Sequence, residues 1–329
     1  MTTNYGYENL VIKGGGNTIF PVFGALEILE KHGILKNIKK MAGSSAGAGI
    51  ISLLAIGYTP KEMSKIFSEL DVSKFLDGSL GYLGYIYRLY NYSGIFHGDD
   101  MYKWFGSIIA EKTGGDPDIT FKEVYDKFGV DLVITGTCVN KRETHYYRRV
   151  SNPNMPIRSA VSISTRIPLV FKPIRWKGDW LTDGGLSNNY PIWIFDKETY
   201  NSKEGKVVRD RTVKLNPKTL GLSVLSQNEE ETDSIFHGND EINGNVDYFV
   251  AILSTLLTQQ QRMDIDTEFW PQTISIPSNG NMKQVINFKT SKEDKLSMIR
   301  EGRVSSSKFL SNRRKLIRLA EIYRLAEMI

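Results

Sequence analysis

Ser45 stands in Gly43-Ser44-Ser45-Ala46-Gly47, where an apolar, strand-like run gives way to a long apolar helical run. A serine hydroxyl attacks a carbonyl when it is held exposed on a tight strand-to-helix turn, and flanking glycines remove the side chains that would crowd such a turn. Ser45 is therefore the candidate nucleophile, with Gly43 and Gly47 as the residues that permit its turn. Gly14-Gly15-Gly16 offers a run of backbone N–H groups at a predicted helix start, a natural cradle for a developing oxyanion. A side chain at Gly15 is expected to rotate or block the donating N–H. The run lacks the spacing of a nucleotide P-loop, and Ile19 stands where the last glycine of G-x-G-x-x-G would be. A tight turn with no chemical role is the alternative.

A serine nucleophile needs a base. The chain has four histidines, His32, His97, His145 and His237, and none lies in a turn of catalytic type. His32 abuts Gly33 and reads as a helix-end residue. Asp183 follows a short apolar run and precedes Gly184 and Gly185, which let backbone approach closely. A carboxylate deprotonates a serine directly when its surroundings raise its basicity and position it. An ordinary turn aspartate is the bland reading of the same residue. Ser45, Asp183 and His237 also follow the chain order of an α/β-hydrolase triad, although His237 falls in the acidic, loop-like run from Glu229 to Asp240.

These turns need strands and helices to hold them. Asn9 to Lys13 reads as a strand stopping at Gly14, and Phe20 to Leu29 carries a helical apolar pattern. Lys39 to Ala42 reads as a second strand, and Ala46 to Ile56 as its helix. Strand, helix, strand, helix with glycine-rich turns points to an α/β layer and a parallel sheet. Leu132 to Val139 and Thr144 to Val150 read as partner strands, Ile157 to Ile163 as a helix, and Thr273 to Ile276 as a strand. Residues 74–106 are crowded with aromatics, which either pack the core or line a lipid pocket and its lid. The last stretch, Ser291 to Ile329, is helical. Its Lys308, Arg313, Arg314, Lys315, Arg318 and Arg324 accompany an apolar stripe of Phe309, Leu316, Leu319, Ala320 and Tyr323. Such a helix lies in an anionic bilayer interface or packs its stripe on the protein body.

The 329 residues can bury a large core without staples, and the single cysteine, Cys138, fits a reducing, cytoplasmic compartment. No apolar run approaches the ~20 residues of a membrane span. A net charge of +5 is modest: it suits an anionic membrane surface as well as it suits nucleic acid, and a plain solvated surface better than either, so no nucleic-acid partner is expected.

The three turns, in this order and with these flanks, resemble the patatin-like phospholipases. Gly14-Gly15-Gly16 with Gly24-Ala25-Leu26 resembles the family's glycine-rich segment and its helix. Ser162-Ile163-Ser164-Thr165-Arg166-Ile167-Pro168-Leu169-Val170-Phe171-Lys172-Pro173 is similar to its Ser-rich segment, and Asp183-Gly184-Gly185-Leu186-Ser187-Asn188-Asn189-Tyr190-Pro191 to its D-G-G motif. The resemblance implies a three-layer α/β/α fold with a mainly parallel sheet over residues 8–310, followed by a basic amphipathic helix at 311–329. It implies a Ser45–Asp183 dyad without histidine, and an oxyanion hole in the Gly14–Gly16 turn, chiefly the N–H groups of Gly15 and Gly16 with that of Ala46. No metal or cofactor is required, and the substrate is a phospholipid or other acyl lipid, with peripheral contact to an anionic membrane. Thr18 and Ile19 depart from the family, which places a basic residue and a glycine there. A catalytically weak lipid-binding module of the same fold is the reading those departures favour.

Overall fold

The computed structural model describes residues 4–75, 81–196, 214–224, 267–277 and 290–326, with isolated positions between 244 and 259. The first apolar run forms β1 (Asn9–Ile12), buried along its whole length. α1 (Pro21–Lys31) opens on a proline, whose missing N–H is no loss in a first turn. β2 (Lys40–Gly43) leads after two residues into α2 (Ala46–Ala55). Thr59 and Glu62 exchange hydrogen bonds in a capping box that starts α3 (Pro60–Glu69). The aromatic stretch becomes α4 (Gly81–Tyr92), β3 (Gly94–Phe96) and α5 (Asp99–Thr113). Then come α6 (Phe121–Phe128), β4 (Asp131–Cys138), β5 (Glu143–Arg148), α7 (Ile157–Ser164), β6 (Leu169–Phe171), β7 (Ile174–Trp176) and β8 (Asp179–Asp183). β9 (Thr219–Val224), β10 (Thr273–Ile276) and a long helix α8 (Lys292–Ala326) complete the described elements.

The central sheet runs β10-β9-β1-β2-β4-β8-β7, with β5 also paired to β4. Strands β10 to β4 are mutually parallel. The parallel expectation stops there, because β5, β8 and β7 pair antiparallel. A hairpin return from β4 to β5 needs only a short turn, whereas a parallel neighbour would need a helical crossover.

Alternation along the strands divides the core. Leu10, Ile12, Met41, Leu132 and Ile134 face the helices, and Val11, Ala42 and Val133 face Ile192, Ile194, Phe195 and Phe269 on the opposite side. α8 packs against α1 so closely that a Cβ on Gly24 would strike the Ile299 carbonyl, and one on Gly302 the Pro21 carbonyl. α8 runs unbroken through residue 310, where the sequence suggested a separate terminal segment. Its Leu310 is buried, and Phe309 and Ile317 pack on the core, while Leu316 and Leu319 are exposed. The apolar stripe is thus split between packing and solvent.

Candidate active site

β4 is the element that brings the two motifs together. β5 occupies one edge of β4 over Val133–Cys138, so β2 and β8 share the other edge. β2 runs parallel to β4 as far as the Gly43–Ile134 pair, and β8 runs antiparallel from Leu181–Cys138 to Asp183–Gly136. Their carboxyl ends therefore meet head-on across a single intervening β4 residue, Thr135. Ser45 follows one end, and Asp183 is the other.

The Ser45 hydroxyl donates a 2.7 Å hydrogen bond to Asp183 Oδ2, and Asp183 Oδ1 accepts the Gly185 N–H at 2.7 Å. Burial pushes the Asp183 carboxyl up to about 7, against the lowering effect of those two hydrogen bonds. Ser45 holds φ 50° and ψ −128°, a conformation that costs a serine on the order of 1–3 kcal/mol and turns the chain sharply from strand to helix. The Ser164 hydroxyl holds that turn by accepting the Ser45 N–H at 2.8 Å. Close approach explains the neighbouring glycines. A Cβ on Gly47 would lie 2.5 Å from the Ile12 carbonyl oxygen, and one on Gly184 would strike Thr135 Oγ1.

The glycine turn divides its labour. The Gly14 N–H is taken by the Asn189 carbonyl at 3.1 Å, and Asn189 Nδ2 donates back to the Gly14 carbonyl at 3.1 Å. Gly14 is thus a clamp point and not an oxyanion donor, a correction to its expected role. Among the described residues no hydrogen bond engages the N–H groups of Gly15, Gly16 or Ala46. Gly15 has an extended φ of −160° and room for a Cβ, whereas Gly16 holds φ 48°. Gly16, and not Gly15, is the position that demands glycine. Thr18 and Ile19 fit the turn by other means. Thr18 Oγ1 donates to the Gly15 carbonyl at 2.8 Å, and Ile19 takes ordinary αR backbone with its side chain in the core.

Ser45 is only 8% exposed and opens onto an apolar cavity. Ile19, Phe20, Phe67, Val72, Phe75, Trp104, Phe105, Val161, Ile167 and Phe171 line it, so part of the aromatic stretch serves a cavity and part does not. Phe75 and Trp104 pack at 5.3 Å, while Tyr87 and Tyr90 of α4 stand in solvent.

Among the described residues no histidine joins Ser45 or Asp183. The remaining Asp183 bonds run to backbone Arg166 and to Thr137 Oγ1, and His145 bonds Glu143 at 3.1 Å instead. His237 lies outside the described residues. Cys138, His145 and Asp179 bring metal-type donor atoms within 4.8 Å of one another, but Lys141 neutralises Asp179 at 2.8 Å. Asp179 is four residues from Asp183, about 13 Å along an extended strand, so that cluster does not face Ser45. Sequence reasoning missed Ser164 and Asn189 as holders of the two turns. Both stand inside the quoted motifs, which was the only signal for them.

The α/β sheet thus bears a serine on a strained strand-to-helix turn, with a carboxylate on its hydroxyl and an apolar cavity at its side. Residues 10–196 match the model of the patatin-like phospholipase family. The chain is 29% identical to uncharacterized protein YqhO of Bacillus subtilis (strain 168) over 316 residues, covering 92% of this chain and 98% of that one. It is 32% identical to probable lipid hydrolase 463L of Invertebrate iridescent virus 6 over 204 residues, covering 62% of this chain and 68% of that one. Its fold is similar to that of VipD from Legionella pneumophila, with TM-score 0.57 and 19% identity over 93% of this chain and 67% of that one. The chain belongs to the patatin-like phospholipase family, enzymes that hydrolyse lipid esters. Among the described residues no helix is long and apolar enough to cross a membrane.

Proposed function

We propose that the chain is a phospholipase A-type acyl hydrolase that works through a Ser45–Asp183 dyad. The observation that carries this reading is the 2.7 Å Ser45–Asp183 hydrogen bond at the edge of an apolar cavity. Asp183, ionised near neutral pH, accepts the hydroxyl proton as Ser45 Oγ attacks the acyl carbonyl. The carbonyl oxygen becomes an oxyanion held by the N–H groups of Gly15, Gly16 and Ala46, which nothing else in the described structure uses. The protonated Asp183 returns its proton to the departing alcohol and leaves an acyl-enzyme on Ser45. Water, deprotonated by the same carboxylate, then releases the fatty acid. The cavity takes the acyl chain, because its walls are predominantly aromatic and aliphatic. A membrane phospholipid or another acyl lipid is the substrate, met by a protein that sits peripherally on the bilayer.

Incubation of the purified chain and its Ser45→Ala variant with mixed phospholipid vesicles, followed by identification of lipid products, tests this reading. Free fatty acid and lysolipid from the wild type alone support it. Equal turnover by both proteins overturns the role of Ser45.

A further inference from the structure

Two segments without a single acidic residue, 81–98 and 167–178, are distant in sequence and are joined in space by the β3–β6 pair. The first carries α4, where Tyr87, Tyr90 and Tyr92 are 58%, 89% and 37% exposed. The second carries Lys172, Arg175 and Lys177, all exposed. The two surfaces touch. Lys172 Nζ lies 5.2 Å from the centre of the Tyr92 ring, and the Tyr87 and Tyr92 rings meet edge-on at 6.3 Å. Phe96 and Phe171 pack at 6.2 Å beneath them, and Phe171 also lines the cavity that contains Ser45. The β3–β6 pair thus sets the end of the aromatic helix beside Phe96 and Phe171, the second of which lines the apolar cavity.

Buried tyrosines need no special account, but a row of exposed ones does. Tyrosine rings favour the boundary between water and acyl chains, because the ring is apolar and its hydroxyl stays wet. Neighbouring lysines and arginines add attraction to anionic headgroups. Every formal charge within the two segments is positive; the acids resume at Asp99 and at Asp179, the cross-strand partner of Trp176, and Asp179 is already paired with Lys141 at 2.8 Å.

We infer that α4 and the β6–β7 edge form the face by which the protein docks on an anionic lipid bilayer, with the cavity mouth turned to the membrane. The inference rests on the acyl-lipid hydrolase reading for its purpose, since a lipid chain would then pass from bilayer to cavity along Phe171 without crossing water. It also places the docking face away from α8, whose basic half is partly committed to the protein body: Arg314 reaches the Tyr5 hydroxyl at 3.5 Å.

Cosedimentation with phosphatidylcholine vesicles, with and without phosphatidylglycerol, tests it on the full chain. The wild type binds the anionic vesicles and largely ignores the neutral ones, and salt reduces the binding. Tyr87→Ser with Tyr90→Ser weakens anionic-vesicle binding about tenfold, and Lys172→Gln weakens it about fivefold. All variants keep wild-type turnover of a soluble short-chain ester, which shows that they fold and that the Ser45 site is intact. Leu316→Ser with Leu319→Ser leaves vesicle binding unchanged. Wild-type binding by the tyrosine variant, no binding by the wild type, or loss of binding in the α8 variant instead would each overturn the proposal. Vesicle binding by a chain that turns over no ester would leave the docking face standing and sink the hydrolase reading, so the two failures are separable.

Discussion

The sheet has two halves of different construction. From β10 to β4 it is parallel, built from strands whose ends open into helices; beyond β4 it is antiparallel, built from hairpins. The parallel half holds Ser45 and the glycine turn, and the antiparallel half holds Asp183. A helix start supplies free N–H groups and an exposed turn, which suit a nucleophile and an oxyanion cradle. A strand end pressed against a neighbour supplies burial, which suits a carboxylate that must be more basic than usual. The difference teaches that the site needs both halves, because neither environment offers what the other does.

The largest expected effect comes from cutting the link between the halves. Ser45→Ala and Asp183→Asn each lower turnover on the order of 10³-fold or more, read as kcat on a soluble ester. Retention of wild-type rate by Asp183→Asn would show that the antiparallel half supplies no base.

Next in size is the pair of glycines in the parallel half. Gly16→Ala forces a side chain onto φ 48° and is expected to lower kcat about 10²-fold by misdirecting a donor. Gly15→Ala, with extended backbone and room for a methyl, should keep most of the activity. Equal losses would mean that the turn does not depend on the backbone conformations described here.

The pH dependence sharpens the comparison further. Because the base must be ionised, kcat/KM rises with pH through about 7 and then levels off, in a single-proton step. Stability moves the opposite way. Asp183 binds its proton more tightly folded than unfolded, so its contribution to stability is fully present below the ordinary carboxyl range and is lost as pH rises toward and through about 7. Asp183→Asn, which never ionises, should therefore melt higher than the wild type at pH 8, with the gap closing toward pH 4. A gap independent of pH would mean that the Asp183 carboxyl is not raised.

The smallest effect separates two adjacent serines. Ser44 is fully buried, and its hydroxyl has no partner among the described residues. Ser44→Ala should leave kcat near wild type and shift stability by about 1 kcal/mol at most, read from urea unfolding. A loss like that of Ser45→Ala would show that the turn cannot tell its two serines apart.

The parallel half was the legible one. β1, β2, α1 and α2 are each marked by an apolar run and a glycine within a few residues, so local pattern was enough to find them and Ser45. Asp183 was visible as a motif, but its placement was not, since β8 reaches β4 from the opposite direction and only tertiary pairing decides that. Ser164 and Asn189 act through hydrogen bonds to residues 119 and 175 positions away, a separation that no local periodicity reports. The aromatic stretch was ambiguous because cavity lining, core and exposed surface all use the same residues. Burial, which is not written in residue type, is what separates Phe75 from Tyr90.

The head-on meeting of β2 and β8 along β4 makes that strand a ruler. The gap between Ser45 and Asp183 is fixed by one residue, Thr135, and not by the lengths of the loops that join the three strands. Chain can therefore be added in those connections with the reacting atoms held in place. A one-residue insertion or deletion between Ile134 and Gly136 would change the spacing and reverse which face of the sheet the next side chains occupy. The enzyme's geometry is thus protected against drift where proteins most often change length, and fragile at a single graduation of the scale.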